Sequence, residues 1–379
     1  MTDLVRQEIA TSADPLVVKV GSRVLTRHNG RLDQERIACL SSQLAMLRAE
    51  GRRTVMVSSG AVAAGMGRLG ITSRPTDLAH LQAVAAVGQS HLIESYDRAL
   101  RGHGHHAAQV LLTAEDLNDR TRYLNVRNTI FSLFDLQAIP ILNENDTVSV
   151  EELQISFGDN DRLAAMVTNL IRAPLLVLLS DVDGLYDGDP ADPASRLIST
   201  VTRLDDATRA FVRDHQSKLG KGGMASKLEA ARIATAAGEN VVIASGRRDD
   251  VLSAIVRGES IGTLILARGQ AVTSRKRWIG FAARPVGAVV LDEGACRAIL
   301  EQGRSLLAIG VVDVVGDFRK GDVVSLRRTD GRELARGLCN YHAAEVRRIG
   351  GLRTDQIAEV LGHRPYYEVI HRNNLGFSA

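Results

Sequence analysis

The sequence predicts an α/β protein, a three-layer sandwich around a mainly parallel central sheet, followed by a small β-rich C-terminal domain. Three observations predict it. Short apolar runs recur up to about residue 268, nearly continuous in the way that parallel strands buried on both faces require. Stretches with a helical pattern alternate with them, and strand–helix–strand spacing of this kind implies a parallel sheet with helices on both faces and right-handed crossovers. Past that point the pattern changes to short β-like runs broken by Gly-Asp turns. At 379 residues the chain also exceeds what one ordinary core organises, so at least two domains are expected.

In chain order, the strand candidates are "LVVKV" (16–20), "RTVMVSS" (53–59), "HAAQVLL" (106–112), "AIPILNE" (138–144), "LLVLLSD" (175–181) and "NVVIASG" (240–246). Helical stretches lie between them at 34–50, 60–69, 80–101, 125–136, 161–171 and 226–237. The first domain is expected over 1–268, a linker over 269–283 and the β-rich domain with its tail over 284–379. In the last, "GAVVLDEG", "VVDVVGDF", "GDVVSLRR" and "ARGLCNY" read as strands, with short helices at 294–302 and 344–349. No low-complexity tract and no repeat of fixed period interrupts the chain.

Composition excludes several classes. With 45% hydrophobic and 24% charged residues the chain has an ordinary globular balance, and no apolar run approaches the ~18 residues of a membrane span. The first residues, "MTDLVRQEIATSADP", mix both charge signs and do not read as a signal peptide. Cys39, Cys296 and Cys339 are odd in number and far apart, so neither a disulfide framework nor a Cys-x-x-Cys metal pair is expected, and a reducing cytoplasm is the natural setting. From Gln270 onward there are 17 Lys+Arg against 12 Asp+Glu, but the charges are interspersed, as on a solvated surface.

Lys19 poses the first chemical question. It interrupts an otherwise apolar strand one residue before the Gly21-Ser22 turn, and burying an ammonium without a partner is costly. Other strand ends carry unusual chemistry too: Ser58-Ser59-Gly60 directly before a helix, Asn143 to Asp146, and Ser180 to Tyr186. Two loops add to them. "SFGDNDR" brings Asp159, Asn160 and Asp161 to a helix start, and "KLGKGGMASK" brings Lys221, Gly222, Gly223 and Lys227 to another. Each has a bland explanation: an N-cap, a solvated cap, a flexible loop, or, for Lys19, a side chain snorkelling from a shallow strand end. Together, at the edge where open α/β sheets bind ligands, two lysines and the amides of Gly21, Ser22, Gly222 and Gly223 make an anion site, and Lys19 is expected to meet a polyphosphate.

The standard nucleotide motifs do not carry this reading. There is no Gly-x4-Gly-Lys-Ser/Thr. "GMGRLG" (65–70) matches Gly-x-Gly-x-x-Gly but closes an Ala-rich helical stretch instead of following a strand, so it reads as a helix C-terminus and loop. "GKGGMA" (220–225) also lacks a preceding strand, and "GHGHH" (102–106) reads as a surface turn between helix and strand.

On "VVKVGS", "SSGAVAAG", "PILNENDTV", "FGDNDRLAA", "LLSDVDGLY", "GKGGMASKLEAA" and "SGRRDDVL", the chain resembles the amino acid kinase family, in particular its glutamate-phosphorylating branch. From about Arg277 the remainder, including "DEGACRAILEQGRSLLAIGVVDVVGDFRKGDVVSL", resembles a PUA domain. The resemblance implies a kinase for which ATP and L-glutamate are the substrates and Mg²⁺ accompanies the nucleotide. Carried over residue by residue, it makes Lys19 and Lys227 the catalytic cations, with Asp161 orienting them. Ser59, Asp146 and Asn160 would bind glutamate. Lys19, Gly21, Ser22, Ser180, Asp181, Lys221, Gly222, Gly223, Met224, Ala225, Ser226 and Lys227 would hold ATP. One departure is Lys221, where a Thr often precedes the Gly pair.

The implied chemistry suits these residue types. A glutamate carboxylate, of ordinary pKa about 4.3, is already anionic at neutral pH and needs no general base. The task is to bring an anion to a polyanion, by positioning and charge neutralisation. Asp146, helped by Asn143 or Asn160, would take the α-ammonium, and the amides at Ser59-Gly60 the α-carboxylate. No protein ligand for a metal is assigned. The resemblance also implies a cytoplasmic, homo-oligomeric enzyme of proline synthesis, subject to feedback by proline. Two other readings stay open: action on another acid or a nucleotide, and RNA binding through the PUA-like domain and "SRKRW" (274–278).

Overall fold

A computed structural model describes residues 3–27, 30–148, 160–204, 223–267, 274–363 and 365–377. The chain divides into two compact units, Met1–Asp116 with Thr121–Ala271, and Leu117–Arg120 with Val272–Ala379.

Up to residue 267 the elements run α1 (Leu4–Ser12), β1 (Leu16–Val20), α2 (Ser22–Leu25), α3 (Gln34–Ala49), β2 (Thr54–Ser58), α4 (Ala61–Leu69), α5 (Leu78–Arg101), β3 (Ala107–Leu112), α6 (Ala114–Asn118), α7 (Arg120–Asp135) and β4 (Ile139–Glu144). Then come α8 (Asp161–Ile171), β5 (Leu175–Ser180), β6 (Thr200–Val201), α9 (Met224–Ala236), β7 (Asn240–Ser245), α10 (Val251–Val256) and β8 (Thr263–Ile265). The strands form one sheet of order β3-β4-β2-β1-β5-β7-β8-β6. The expected parallel pairing holds from β3 to β7. At the far edge β8 turns antiparallel to β7, and β6 follows β8. Those two strands were not legible in the sequence, because two or three residues carry no periodicity.

The chain leaves β1 for β2 on one side and later adds β5 on the other, so β1 stands at the switch in strand order, where a crevice opens beyond the carboxyl ends. β1, β2 and β5 are buried at every position. Leu16, Val18 and Val20 share a core with Met56, Val177, Leu179, Leu40, Leu44, Leu92 and Tyr96, from strands, α3 and α5. Side chains alternate across a strand, so Val17 and Lys19 point to the other face. There α8, buried at every residue from Leu163 to Ile171, packs against the sheet.

α4 and α5 meet backbone to backbone. A Cβ on Gly65 would lie 1.9 Å from the Val84 carbonyl oxygen, and one on Gly88 would lie 1.7 Å from that of Ala61. Gly70 ends α4 in the left-handed conformation, φ 70°. "GMGRLG" is thus a helix-packing and helix-ending sequence, as its context implies.

The C-terminal part of the second unit begins with α11 (Ser274–Arg277) and a π-helical turn, Trp278–Ala282, whose five residues are buried. β9 (Gly287–Leu291), α12 (Glu293–Leu300), β10 (Val311–Val315), β11 (Val323–Arg328), β12 (Glu333–Leu338), α13 (Ala343–Ile349), α14 (Ile357–Leu361) and β13 (Leu375–Phe377) follow. Their sheet has the order β10-β9-β11-β12-β13, antiparallel except between β9 and β11. Its own core gathers Val289, Leu291, Val324, Leu326, Ala335 and Tyr341. Among the described residues, no helix is long and apolar enough to cross a membrane.

Candidate active site

The answer to Lys19 is Asp161. Lys19 is 1% exposed, so it does not snorkel, and its Nζ lies 2.7 Å from Asp161 Oδ1. The other carboxylate oxygen, Oδ2, lies 3.2 Å from Lys227 Nζ and accepts from Ser226 Oγ at 3.2 Å. Asp161 is itself fully buried, so it is not the solvated cap that its place at a helix start allowed. Three elements create this cluster: Lys19 comes from the α8 face of β1, Asp161 from the first residue of α8, and Lys227 from the first turn of α9. One carboxylate thereby holds two ammoniums at a single point beyond the switch strand.

The strand ends around it are stitched together. Gly21 N–H donates to the Leu179 carbonyl at 3.3 Å, and Ser59 N–H to that of Val20 at 3.2 Å. The anion-site expectation gives Gly21's amide to phosphate, whereas here that amide joins β1 to β5. What Gly21 contributes is space, since a Cβ there would sit 3.8 Å from Lys19 Nζ. Ser22 begins α2 and is exposed, placing its amide among those with no carbonyl four residues back. Gly223 is the N-cap of α9 in extended conformation, with open space where a Cβ would be. Met224, Ala225 and Ser226 form the first turn of α9 with Lys227. Lys221 and Gly222, like Asp159, lie outside the described residues.

Ser180 ends β5 and Asp181 follows it, and their side chains bond away from the lysines. Ser180 Oγ donates to Asp181 Oδ1 at 3.2 Å, and Arg23 donates to Asp181 Oδ2 at 3.2 Å. Burial by itself raises the Asp181 pKa. The bond from Arg23, with help from its own backbone amide and Ser180, outweighs burial and holds the carboxyl below the usual aspartate range.

A second polar cluster adjoins the first. Asn160, next in sequence to Asp161, donates through Nδ2 to the Ser58 carbonyl at 2.8 Å, Asn143 Oδ1 at 2.7 Å and Ser59 Oγ at 3.1 Å. Asn143 Nδ2 in turn donates to Gln89 Oε1 at 2.7 Å, and Asn143 Oδ1 accepts from the Glu144 amide at 2.9 Å. Ser58 shares a hydrogen bond with the Tyr96 hydroxyl at 3.1 Å. Tyr96 is fully buried, and burial drives its phenol pKa upward, so the hydroxyl stays protonated. Asp146 sits half-buried in the turn just after β4. The "SSG" reading as a side-chain N-cap does not hold, because the cap of α4 is Gly60, at φ 102° with no side-chain bond. "GHGHH" is the surface turn between α5 and β3.

Sequence reasoning missed Gln89 and Tyr96. Both lie on α5, seven residues apart and so on one face, and a polar pair at that spacing in an Ala-rich, partly buried helix is the signal that could have found them. It also missed Arg23, whose only sequence signal is its position directly after Ser22.

Comparison with known proteins follows the same division of the chain. The model of the amino acid kinase family matches residues 14–245, and that of the PUA domain matches residues 287–361. Over 98% of its length the chain is 49% identical to the glutamate 5-kinase of Rhodopirellula baltica, covering 95% of that protein. This chain belongs to the amino acid kinase family. Other glutamate 5-kinases are as similar: that of Azoarcus sp. is 47% identical over 96% of this chain and 98% of its own, and that of Thioalkalivibrio sulfidiphilus 48% over 95% and 96%. Among solved structures, carbamate kinase from Giardia lamblia bound to AMP-PNP aligns with a TM-score of 0.47 at 15% identity, over 68% of this chain and 100% of that one. As an amino acid kinase with a PUA domain, the chain is a phosphotransferase, and ATP chemistry of this kind implies a divalent metal.

Proposed function

We propose that this chain is a glutamate 5-kinase that transfers the γ-phosphoryl group of ATP to the side-chain carboxylate of L-glutamate, giving γ-glutamyl phosphate, the first step of proline biosynthesis. One observation carries the reading: consecutive residues join the two halves of the site. Asp161 gathers the lysines that a polyphosphate needs, and Asn160 anchors the amide and hydroxyl cluster that suits an amino acid.

In this reading Lys19 and Lys227 neutralise charge on the transferring phosphoryl group, and Asp161 keeps both ammoniums aimed at it. Gly21 leaves room for a phosphate oxygen above Lys19, and the first turn of α9 supplies amides. Ser59, Asp146 and Asn160 hold glutamate so that its carboxylate, ionised without help, lies in line with the phosphorus. Arg23 and Asp181 form the outer wall on the nucleotide side.

The cation is proposed to be Mg²⁺ carried by ATP. Among the described residues no three His, Cys, Asp or Glu side chains group into a metal cage, and both oxygens of Asp161 face lysines. That donor set suits an ion held mainly by phosphate oxygens and water, which adds to the charge neutralisation the lysines provide. Proline feedback, homo-oligomer formation and a cytoplasmic setting belong to the same proposal.

An ADP-release assay with glutamate, aspartate, N-acetylglutamate and UMP tests it, with and without proline. Turnover with glutamate far above the others is expected. Preference for another acceptor, or ATP hydrolysis independent of any acceptor, overturns it.

A further inference from the structure

We infer that Gln89 is a positioning residue for the amino acid pocket: it holds two buried amides in the one orientation that leaves Asn160 Oδ1 as an acceptor for the substrate's α-ammonium. The inference rests on the proposed amino acid substrate.

Backbone groups settle which way both amides face. A peptide carbonyl only accepts, so the Asn160 atom 2.8 Å from the Ser58 oxygen is Nδ2. A peptide N–H only donates, so the Asn143 atom 2.9 Å from the Glu144 nitrogen is Oδ1. With Asn160 Nδ2 occupied by Ser58, Asn143 and Ser59, Asn160 Oδ1 has no hydrogen-bond partner among the described residues, although the residue is 3% exposed. A buried acceptor of this kind is open to a donor from a ligand. Asn143 Nδ2 must likewise find an acceptor, and it finds Gln89 Oε1 at 2.7 Å. Asn143 is 2% exposed, so water does not readily replace that oxygen.

Gln89 reaches the site because of its neighbour. Gly88 lets α5 press against Ala61 at the start of α4, immediately after Ser59-Gly60, and this brings the next side chain of α5 to the end of β4. Without the Gln89 acceptor, Asn143 keeps a buried unpaired donor unless it shifts, and a shift releases Asn160.

Steady-state kinetics and thermal melts of the full chain test this with Gln89→Leu, Gln89→Glu and Gln89→Lys. Gln89→Leu removes the acceptor and is expected to raise the glutamate KM about tenfold, as for one buried donor left unpaired, with kcat and the ATP KM within about twofold of wild type. Gln89→Glu restores the acceptor and should return the glutamate KM most of the way. Gln89→Lys can only donate and should be at least as impaired as Gln89→Leu. An unchanged glutamate KM in Gln89→Leu, or equal impairment of the Leu and Glu variants, overturns the inference. If Gln89→Leu fails to fold, the order of the Glu and Lys variants decides. Where wild type phosphorylates glutamate and the variants match it, only the role of Gln89 falls. Where wild type phosphorylates no amino acid, the functional reading falls with it.

Discussion

Asp161 has both oxygens engaged by lysine ammoniums, and all three groups are almost wholly removed from water. A buried ion pair is weak evidence for stability, because desolvation offsets most of its attraction. Its retention here makes sense as pre-organisation, with two cations fixed before an anion arrives. Lys19→Met and Lys227→Met keep side-chain volume and leave one lysine on Asp161, so both variants should fold. Each is expected to lower kcat about 10²–10³-fold, the range for losing one fixed electrostatic donor. Circular dichroism would confirm the fold, and near-wild-type turnover by a folded variant would remove that lysine from the mechanism. Both lysines were legible in the sequence, Lys19 because it breaks an apolar run and Lys227 because it follows a Gly-rich turn. Their meeting on Asp161 was not legible from spacing alone, since 142 and 66 residues separate the partners.

β1 to β5 and β7 stand within a residue or so of where the apolar runs suggest, because a strand buried on both faces leaves an unbroken hydrophobic record. α1 and α10 leave a weaker record, and the short edge strands β6 and β8 leave none. The α4–α5 contact is the feature that shapes the amino acid side of the site, and its only sequence trace is small residues within Ala-rich stretches. Gly88→Ala would drive a Cβ to 1.7 Å from the Ala61 carbonyl oxygen and to 2.4 Å from the Gly65 nitrogen, both rigid helix backbone. Calorimetry should show a loss of stability of about 1–3 kcal/mol or more, as for overpacking, together with a raised glutamate KM as Gln89 is displaced. A variant as stable as wild type would mean that the helices separate without cost.

Each of the two units carries a separate core, one centred on the β1 region and one on β9, β11 and β12. Leu326, fully buried in the second, is a place to test their independence. Leu326→Ala should cost that unit about 2–5 kcal/mol and lower one thermal transition while a second stays in place. A single transition moving as a whole would show that the cores unfold together. At this scale the sequence by itself determined the division into an α/β part and a β-rich part, the mainly parallel pairing, and the residue types at the carboxyl edge. These follow from local physics: apolar runs, turn residues and a charge where none is cheap. Only the tertiary structure decided that Lys19 and Lys227 each take one oxygen of Asp161, the residue the family resemblance named as orienting them, that Gly21 offers space while its amide binds Leu179, and that Gln89 supports Asn143 and Asn160. Those contacts join segments far apart in the chain, and a hydrogen bond a few ångströms long is set by how helices and strands pack, which no stretch of sequence records on its own.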